Sequence, residues 1–265
     1  MISRGFHSKN WPHQMNNHSS EDIDFGYERV RKEDKIHRVK SVFQSVASRY
    51  DVMNDLMSGG LHRLWKHEFA SKLPYRGGNV YLDVAGGTGD IADLILKNLK
   101  KYALSGRVII SDINESMLAE GQQRKTQSAI EWTCGNAESL PFPDNFADVY
   151  TIAFGLRNVT DRMQALREAH RVLKPGGQFF CLEFSKINPC LKPFYDLYSF
   201  QLVPLMGKLV AQDEDSYRYL VESIRMFPSQ EELKDMMHDA GFREVTSQNL
   251  SQGIVAIHQG QKGLA

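Results

Sequence analysis

The segment of this 265-residue chain best suited to chemistry on a small ligand is a glycine-rich turn. Residues 81–92 read Tyr-Leu-Asp-Val-Ala-Gly-Gly-Thr-Gly-Asp-Ile-Ala, the pattern of an apolar strand, a turn and a helix start. Glycine lacks a Cβ atom and tolerates positive φ, and the first turn of a helix has free N–H groups. An ordinary turn between a strand and a helix needs fewer glycines. We therefore predict that Gly86, Gly87, Thr88 and Gly89 hold a ligand.

Two ligands suit such a turn, a nicotinamide dinucleotide and S-adenosylmethionine. The stretch from Gly87 to Ala92 matches the dinucleotide fingerprint G-x-G-x-x-A. Asp112, at the predicted end of the second strand, can accept hydrogen bonds from ribose hydroxyls of either ligand. An N-cap role in the next helix is the alternative for this residue.

Three further features favour S-adenosylmethionine. Asp83 precedes the glycines, where a carboxylate attracts an ammonium group and repels a pyrophosphate. Asn136 and Ala137 follow the third strand, where they offer an amide and a backbone N–H to an adenine edge. No Tyr-x-x-x-Lys pair, the constellation of many hydride-transfer enzymes, is present. An NAD-dependent reductase stays open at this point.

The composition limits the class of protein. Lys plus Arg and Asp plus Glu both total 32, so no global field attracts nucleic acid, and we expect no nucleic-acid partner. A hydrophobic fraction of 42% is enough for a sizeable core, and no apolar run reaches the ~20 residues that span a bilayer. We expect no metal site, since histidines and cysteines show no ligand spacing, and the three cysteines are expected to be structural thiols.

The elements that position these residues follow an alternating strand–helix pattern, which predicts a parallel sheet with helices on both faces. Amphipathic helices precede the glycine turn, a capping box starts a helix at Ser229, and a hairpin ends the chain. The predicted strands cover residues 80–84, 108–111, 130–134, 147–153, 178–183, 244–247 and 254–258, and the predicted helices cover residues 90–101, 116–125 and 161–173. The fold class is therefore α/β and Rossmann-like.

Three regions are predicted along the chain. Residues 1–24 form a tail or a mitochondrial transit peptide, because the first twenty residues contain no acid; a bacterial extension is the alternative. Residues 25–75 form an N-terminal helical cap. Residues 76–265 form the ligand-binding domain, interrupted by a helical insertion at 189–227 that is rich in aromatic residues.

Two long segments make the chain resemble the ubiquinone/menaquinone biosynthesis C-methyltransferases. One is Tyr-Asp-Val-Met-Asn-Asp-Leu-Met-Ser-Gly-Gly-Leu-His-Arg-Leu-Trp at residues 50–65, and the other is Arg-Val-Leu-Lys-Pro-Gly-Gly-Gln-Phe-Phe-Cys-Leu-Glu-Phe-Ser at residues 171–185. Shorter matches at residues 25–27, 151–159 and 253–258 extend the similarity over roughly residues 25 to 260. The chain is most similar to the ubiquinone branch of the family.

The resemblance implies a class I S-adenosylmethionine methyltransferase fold, a seven-stranded sheet whose last strand is antiparallel. It implies cofactor contacts at Thr88, Asp112, Asn136 and Ala137. Many bacterial relatives have serine at the position of Ala153, so no role is assigned to this alanine.

The implied reaction is methylation of a ring carbon of 2-methoxy-6-polyprenyl-1,4-benzoquinol. Attack by carbon requires an electron-rich ring, and ionising a phenol of pKa near 10 at pH 7 costs roughly 4 kcal/mol. The resemblance gives Arg157 and Asn158 a part in this deprotonation. A guanidinium is a poor base, so we expect Arg157 to lower the quinol pKa or activate a water, and Asn158 to orient the ring. A salt bridge is the alternative role for Arg157.

Substrate contacts are predicted at Tyr50, Asn54 and His62, with capping or core packing as the alternative for each. The polyprenyl tail keeps the substrate in a bilayer, which predicts peripheral membrane contact. The aromatic stretch 189–226 is expected to form a tail channel, a subunit contact or a cover of the sheet.

The resemblance further implies a homodimer, a quinone-biosynthesis protein complex, and a location on the matrix side of the mitochondrial inner membrane, or the bacterial cytoplasm. The competing functions are demethylmenaquinol methylation and a non-catalytic cofactor-binding scaffold.

Overall fold

A computed structural model of the chain describes residues 22–46, 54–55, 58–124, 129–188 and 214–264. Its centre is a seven-stranded sheet of order β5-β4-β3-β6-β7-β9-β8. The strands in this part of the chain are β1 Asp22–Phe25, β2 Glu28–Arg31, β3 Val80–Val84, β4 Arg107–Asp112, β5 Ile130–Cys134, β6 Ala147–Ala153, β7 Leu173–Phe184, β8 Phe242–Leu250 and β9 Val255–Lys262. The last strand of the chain, β9, runs antiparallel between β7 and β8. The predicted class I methyltransferase sheet with an antiparallel last strand is therefore confirmed.

The helices of the described residues lie between these strands in the predicted alternation. They are α1 Lys32–Val46, α2 His62–Ser71, α3 Asp90–Lys101, α4 Glu115–Arg124, α5 Arg162–Val172, α6 Glu214–Arg225 and α7 Gln230–Asp239. Asp161 caps α5 by accepting a hydrogen bond from the Gln164 N–H. The capping box predicted at Ser229 is present, with Glu232 as its partner.

The sheet is covered on both faces because its central strands are apolar on both sides. All five residues of β3 are buried. Phe179 and Phe180, neighbours on β7, point into two different core clusters on opposite sides of the sheet. Helix α3 contributes Ile95 and Leu99 to the same cluster as Phe180. This packing fixes the ends of the strands, from which the functional loops emerge.

The N-terminal region contains an element that the hydrophobic pattern did not reveal. Strands β1 and β2 pair as an antiparallel hairpin around Gly26 and Tyr27, so the predicted cap is not entirely helical and residues 22–24 belong to it. The hairpin is short and largely polar, so it lacks the alternation of apolar residues from which a strand is predicted. No helix among the described residues is both long and apolar enough to cross a bilayer.

Several predicted elements end one or a few residues away from their expected bounds. Strand β7 starts at Leu173, because the Lys-Pro-Gly-Gly turn is included in a ladder that bulges opposite Ala147 and Val149. Strand β8 is longer than expected at both ends, whereas β9 starts one residue later than predicted and continues to Lys262. Residues 47–53 of the predicted helical cap, and most of the insertion at 189–227, lie outside the described residues.

Candidate active site

The cleft lies at the carboxyl ends of β3, β4, β5 and β6, where the order of the sheet reverses between β3 and β6. Open parallel sheets bind ligands at such a switch point, because the loops on either side diverge. The space amounts to about 850 Å³ including its open mouth. Helix α1 forms the opposite wall with Ile36, Val39 and Lys40. The cleft is therefore bounded by the sheet on one side and the N-terminal cap on the other.

Backbone hydrogen bonds hold the glycine turn against the next strand. The Ala85 N–H donates to the Ser111 carbonyl at 2.7 Å, and the Gly89 N–H donates to the Gly86 carbonyl at 2.9 Å. Gly87 and Gly89 have φ of 55° and 86°, in the left-handed region that favours glycine. Of the predicted cradle, Gly87 lines the cleft, whereas Gly86, Thr88 and Gly89 do not.

At two glycines the main chain packs too closely against its neighbours to leave room for a side chain. A Cβ atom on Gly86 would lie 2.8 Å from the Asp83 Oδ2 atom, and one on Gly155 would lie 2.5 Å from the Ala85 Cβ atom. Ala85 and Phe154 also adopt positive φ, at 51° and 56°, although neither is glycine. Both residues line the cleft, and strained backbone of this kind concentrates at binding sites.

Asp83 lies directly behind the glycine turn and is fully buried. Its Oδ1 atom accepts a hydrogen bond from the hydroxyl of Thr151, its register partner on β6, at 2.8 Å. Its Oδ2 atom has no hydrogen-bond partner among the described residues. Burial, together with the nearby Asp112 carboxylate, raises the pKa of Asp83 to about 7. A cationic group bound at the turn would favour the ionised form.

Asp112 lines the cleft at the end of β4. Its Oδ2 atom accepts the Gly87 N–H at 2.8 Å and its Oδ1 atom accepts the Asn114 N–H at 2.8 Å. Burial raises the pKa of this group, while the two backbone donors oppose that shift. Each carboxylate oxygen has a second lone pair, so Asp112 can still accept hydrogen bonds from ribose hydroxyls. The N-cap alternative is realised by Asn114, whose Oδ1 atom accepts from Ser116 N–H.

The loop after β5 brings Asn136, Ala137 and Glu138 to the cleft. The Asn136 Oδ1 atom accepts the Glu138 N–H at 3.0 Å, which closes a local turn and leaves the amide nitrogen for another acceptor. Glu138 also accepts the N–H groups of Thr160 and Asp161, so this loop is tied to the segment after β6. These positions agree with an adenine contact at Asn136 and Ala137, which remains a prediction.

Arg157 and Asn158 follow β6 in a short 3-10 turn, Leu156–Asn158. Arg157 is buried and does not line the cleft. Its Nη1 atom lies 3.0 Å from the Glu183 Oε1 atom and also donates to the Phe154 carbonyl. Its backbone N–H donates to the Glu183 Oε2 atom at 3.2 Å. The salt bridge considered from the sequence thus exists, with Glu183 of β7 as the partner.

Asn158, unlike Arg157, lines the cleft. Its Oδ1 atom accepts a hydrogen bond from the Tyr219 hydroxyl at 3.1 Å, and its Nδ2 atom lies 3.5 Å from the Phe154 carbonyl oxygen. The amide is therefore held from two sides at the edge of the space where a ligand would bind.

The predicted substrate contacts are placed differently. Tyr50 lies outside the described residues. Asn54 and His62 do not line the cleft. The His62 Nε2 atom lies 2.9 Å from the Asp55 Oδ1 atom, and burial lowers the pKa of this histidine. Contacts of these residues with substrate remain a prediction.

Some site residues were not anticipated from the sequence. Lys35 of α1 is buried, donates to the Val159 carbonyl at 3.2 Å, and has a pKa lowered by burial to about 8. Glu183 holds Arg157, and α1 supplies a wall. Both residues could have been found in the sequence, because each is a charged residue among apolar ones: Glu183 in a strand and Lys35 in a helix. A buried charge needs a partner, so such a position indicates a specific contact.

The residues present fit S-adenosylmethionine. At Gly87 the absence of a side chain lets a ligand approach the main chain closely. Asp112 offers acceptors for a ribose, and the Asp83 Oδ2 atom has no hydrogen-bond partner among the described residues. Two buried carboxylates attract a ligand that carries ammonium and sulfonium charges, and they repel a pyrophosphate.

The raised pKa of Asp83 predicts a pH-dependent stability. Between about 4 and about 7 the unfolded chain has lost this proton and the folded chain has kept it, so the ligand-free protein loses stability as pH rises. Asp83→Asn keeps an acceptor for Thr151 and removes this effect. Its free energy of unfolding, measured by urea titration, is expected to exceed that of the unaltered protein at pH 8, with a gap that closes toward pH 4.

The same variant is expected to bind S-adenosylmethionine roughly tenfold more weakly in calorimetric titration, because a nearby opposite charge is lost. A stability difference that does not change with pH would contradict the protonation state given to Asp83.

Asp112→Ala removes both the ribose acceptors and the hydrogen bonds to Gly87 and Asn114. We expect affinity for S-adenosylmethionine, measured by calorimetry, to fall by roughly 10- to 100-fold. Asp144→Ala, which removes an exposed carboxylate paired with Arg171, is the matched control and should bind normally. Equal affinity in the two variants would exclude a ribose contact at Asp112.

The fold recurs in solved methyltransferases. The chain superposes on a possible histamine N-methyltransferase from Thermotoga maritima with a TM-score of 0.59 and 18% identity, covering 84% of this chain and 99% of that one. A Haemonchus contortus phospholethanolamine N-methyltransferase with bound S-adenosylhomocysteine gives a TM-score of 0.57 at 14% identity, covering 88% of this chain and 60% of that one. At these identities the likeness shows the fold alone.

Sequence comparison identifies the family. The chain is 53% identical to the ubiquinone/menaquinone biosynthesis C-methyltransferase UbiE of Hydrogenovibrio crunogenus, over 92% of this chain and 97% of the relative. It is 50% identical to the human mitochondrial 2-methoxy-6-polyprenyl-1,4-benzoquinol methylase, over 91% of this chain and 84% of the relative. Residues 29–262 match the ubiE/COQ5 methyltransferase family, and the chain belongs to it.

Proposed function

We propose that the protein transfers the methyl group of S-adenosylmethionine to a ring carbon of 2-methoxy-6-polyprenyl-1,4-benzoquinol. The observation that carries the proposal is that Asn158 lines the same cleft as Gly87 and Asp112. A hydrogen-bond donor for a quinol oxygen therefore lies beside the place that suits the methyl donor. The substrate named for the human relative supports this choice.

S-adenosylmethionine, when bound, supplies an electrophilic methyl group on a sulfonium. The carbon nucleophile must attack in line with the departing sulfur, so orientation and exclusion of water are the main contributions of the protein. The apolar wall formed by Ile36 and Val39 opposite Ala153 and Phe154 suits the exclusion of water around an aromatic ring. The ring is more reactive when the quinol oxygen has lost its proton.

Asn158 is the residue that we assign to direct contact with the quinol oxygen. Its amide N–H would donate to the oxygen and favour the anionic form, since hydrogen bonds to charged acceptors are the stronger ones. Arg157 acts from behind the turn in this proposal. Its charge is offset by Glu183 at 3.0 Å, which weakens its field at the cleft, but the pair fixes the Phe154–Asn158 segment.

The polyprenyl tail of the proposed substrate resides in a bilayer, so we propose that the protein works at a membrane surface. A human relative named as mitochondrial and close bacterial relatives support either a mitochondrial membrane or a bacterial one as the place of action. A homodimer and association with other quinone-biosynthesis proteins are part of the proposal, on resemblance to the family.

The direct test is incubation of the purified protein with methyl-labelled S-adenosylmethionine and a short-tailed 2-methoxy-6-prenyl-1,4-benzoquinol kept reduced. Mass spectrometry is expected to find one labelled methyl on a ring carbon. Asn158→Ala, which keeps the donor-binding residues, is the matched control and should lose most turnover. Donor binding without methylated product would favour a scaffold role.

A second substrate is favoured by the bacterial relatives, whose name includes menaquinone. The same assay with a short-tailed demethylmenaquinol separates the two. Product from the naphthoquinol alone would overturn the benzoquinol proposal.

The role of Arg157 can be separated from its effect on folding. Arg157→Met strands the buried Glu183 carboxylate, so a loss of roughly 3 kcal/mol in the free energy of unfolding is expected together with lost turnover. The double variant Arg157→Met with Glu183→Gln removes both charges and should recover much of that stability. Its affinity for S-adenosylmethionine should be normal and its kcat should stay low. Recovery of kcat with stability would make the pair purely structural.

A further inference from the structure

The amide of Asn158 has only one orientation that satisfies its neighbours. A backbone carbonyl accepts hydrogen bonds and never donates, so the amide atom 3.5 Å from the Phe154 carbonyl oxygen must be the nitrogen. The other amide atom, the oxygen, then faces the Tyr219 hydroxyl at 3.1 Å. The hydroxyl is the donor in that bond. One of the two amide hydrogens remains for the cleft that Asn158 lines.

We infer that Tyr219 of α6 is a positioning residue that fixes the Asn158 amide with its N–H toward the substrate oxygen. This inference rests on the proposed function and deepens it. Without the hydroxyl, the amide could turn over and present its oxygen to the cleft. An oxygen in that place would repel a phenolate, whereas the N–H stabilises one. Tyr219 would thereby make the site selective for a substrate oxygen that accepts hydrogen bonds, as a phenolate does.

The surroundings of Tyr219 suit a fixed donor. The side chain is buried, and burial raises its pKa to about 12, so the phenol keeps its proton. Its ring stacks on the Phe25 ring, with centroids 4.2 Å apart and planes inclined by 17°. The Arg38 guanidinium lies over the Phe25 ring, 5.4 Å from its centroid. A stacked ring has little freedom to swing its hydroxyl away.

The N-terminal hairpin holds this stack in place. The Tyr27 N–H donates to the Glu222 Oε2 atom at 3.1 Å, which ties the hairpin turn to α6. Gly26 has φ of 60°, a conformation that favours glycine, and a Cβ atom there would also meet the Glu222 side chain. The hairpin therefore stabilises the position of Tyr219, and through it that of Asn158, without contacting Asn158 itself.

Tyr219→Phe removes one oxygen and keeps the ring, so it tests the hydroxyl alone. We expect kcat for the short-tailed quinol to fall about tenfold, with an unchanged Kd for S-adenosylmethionine. In the Asn158→Ala background the same substitution should have almost no further effect, because the group it positions is gone. Tyr81→Phe is the matched control, since Tyr81 is also buried and donates its hydroxyl to the Pro74 carbonyl at 3.0 Å. Its kcat should be that of the unaltered protein.

A spectroscopic measurement keeps the test independent of turnover. The side-chain amide signals of Asn158, assigned by their loss in Asn158→Ala, should shift in Tyr219→Phe and stay unchanged in Tyr81→Phe. Unchanged Asn158 amide signals, or a kcat loss that adds in full to that of Asn158→Ala, would overturn the positioning role. If instead the unaltered protein fails to methylate the quinol while the amide signals shift as expected, the proposed function fails and the positioning of Asn158 stands.

Discussion

The hydrogen bonds of the Asp112 carboxylate are the constraint from which the site is built. One oxygen holds the N–H of Gly87 and the other holds the N–H of Asn114, so one side chain at the tip of β4 fixes the turn after β3 and the start of α4. Burying a carboxylate is costly unless donors surround it. The two backbone donors meet part of that cost, and a ligand with hydroxyl groups would meet more. The strand ends, the glycine turn and the acidic character of the cleft thus depend on one another.

A second buried charge organises the other side of the cleft. Arg157, in the turn after β6, forms an ion pair with Glu183 of β7. Arg157 also donates to the Phe154 carbonyl, and Glu183 also accepts the Arg157 backbone N–H. Such a pair contributes little net stability, but it holds the backbone in one arrangement because breaking it would strand a buried charge. Asn158, the next residue, lines the cleft. The chemistry proposed for the cleft is thus supported by groups that do not touch the ligand.

The cleft also depends on the part of the chain that precedes the sheet. Helix α1 supplies a wall, its buried Lys35 bonds to the Val159 carbonyl, and the hairpin before it steadies Tyr219. Without α1, the side of the cleft opposite the sheet would be open to water. An enzyme that makes a carbon nucleophile from a phenol benefits from a dry pocket, since charge interactions are stronger where water is excluded.

The sequence by itself determined the sheet and its glycine turn, because apolar alternation and glycine preference act over short stretches. Strands Val80–Val84, Ile130–Cys134 and Ala147–Ala153 match their predicted bounds, and so does the helix Asp90–Lys101. The acidic residues of the turn were also readable, because Asp83 and Asp112 stand at strand ends. Only the tertiary structure decided which residues meet across the fold. Glu183 pairs with Arg157 over 26 residues and Tyr219 reaches Asn158 over 61, and no local pattern encodes contacts between side chains so far apart in the chain.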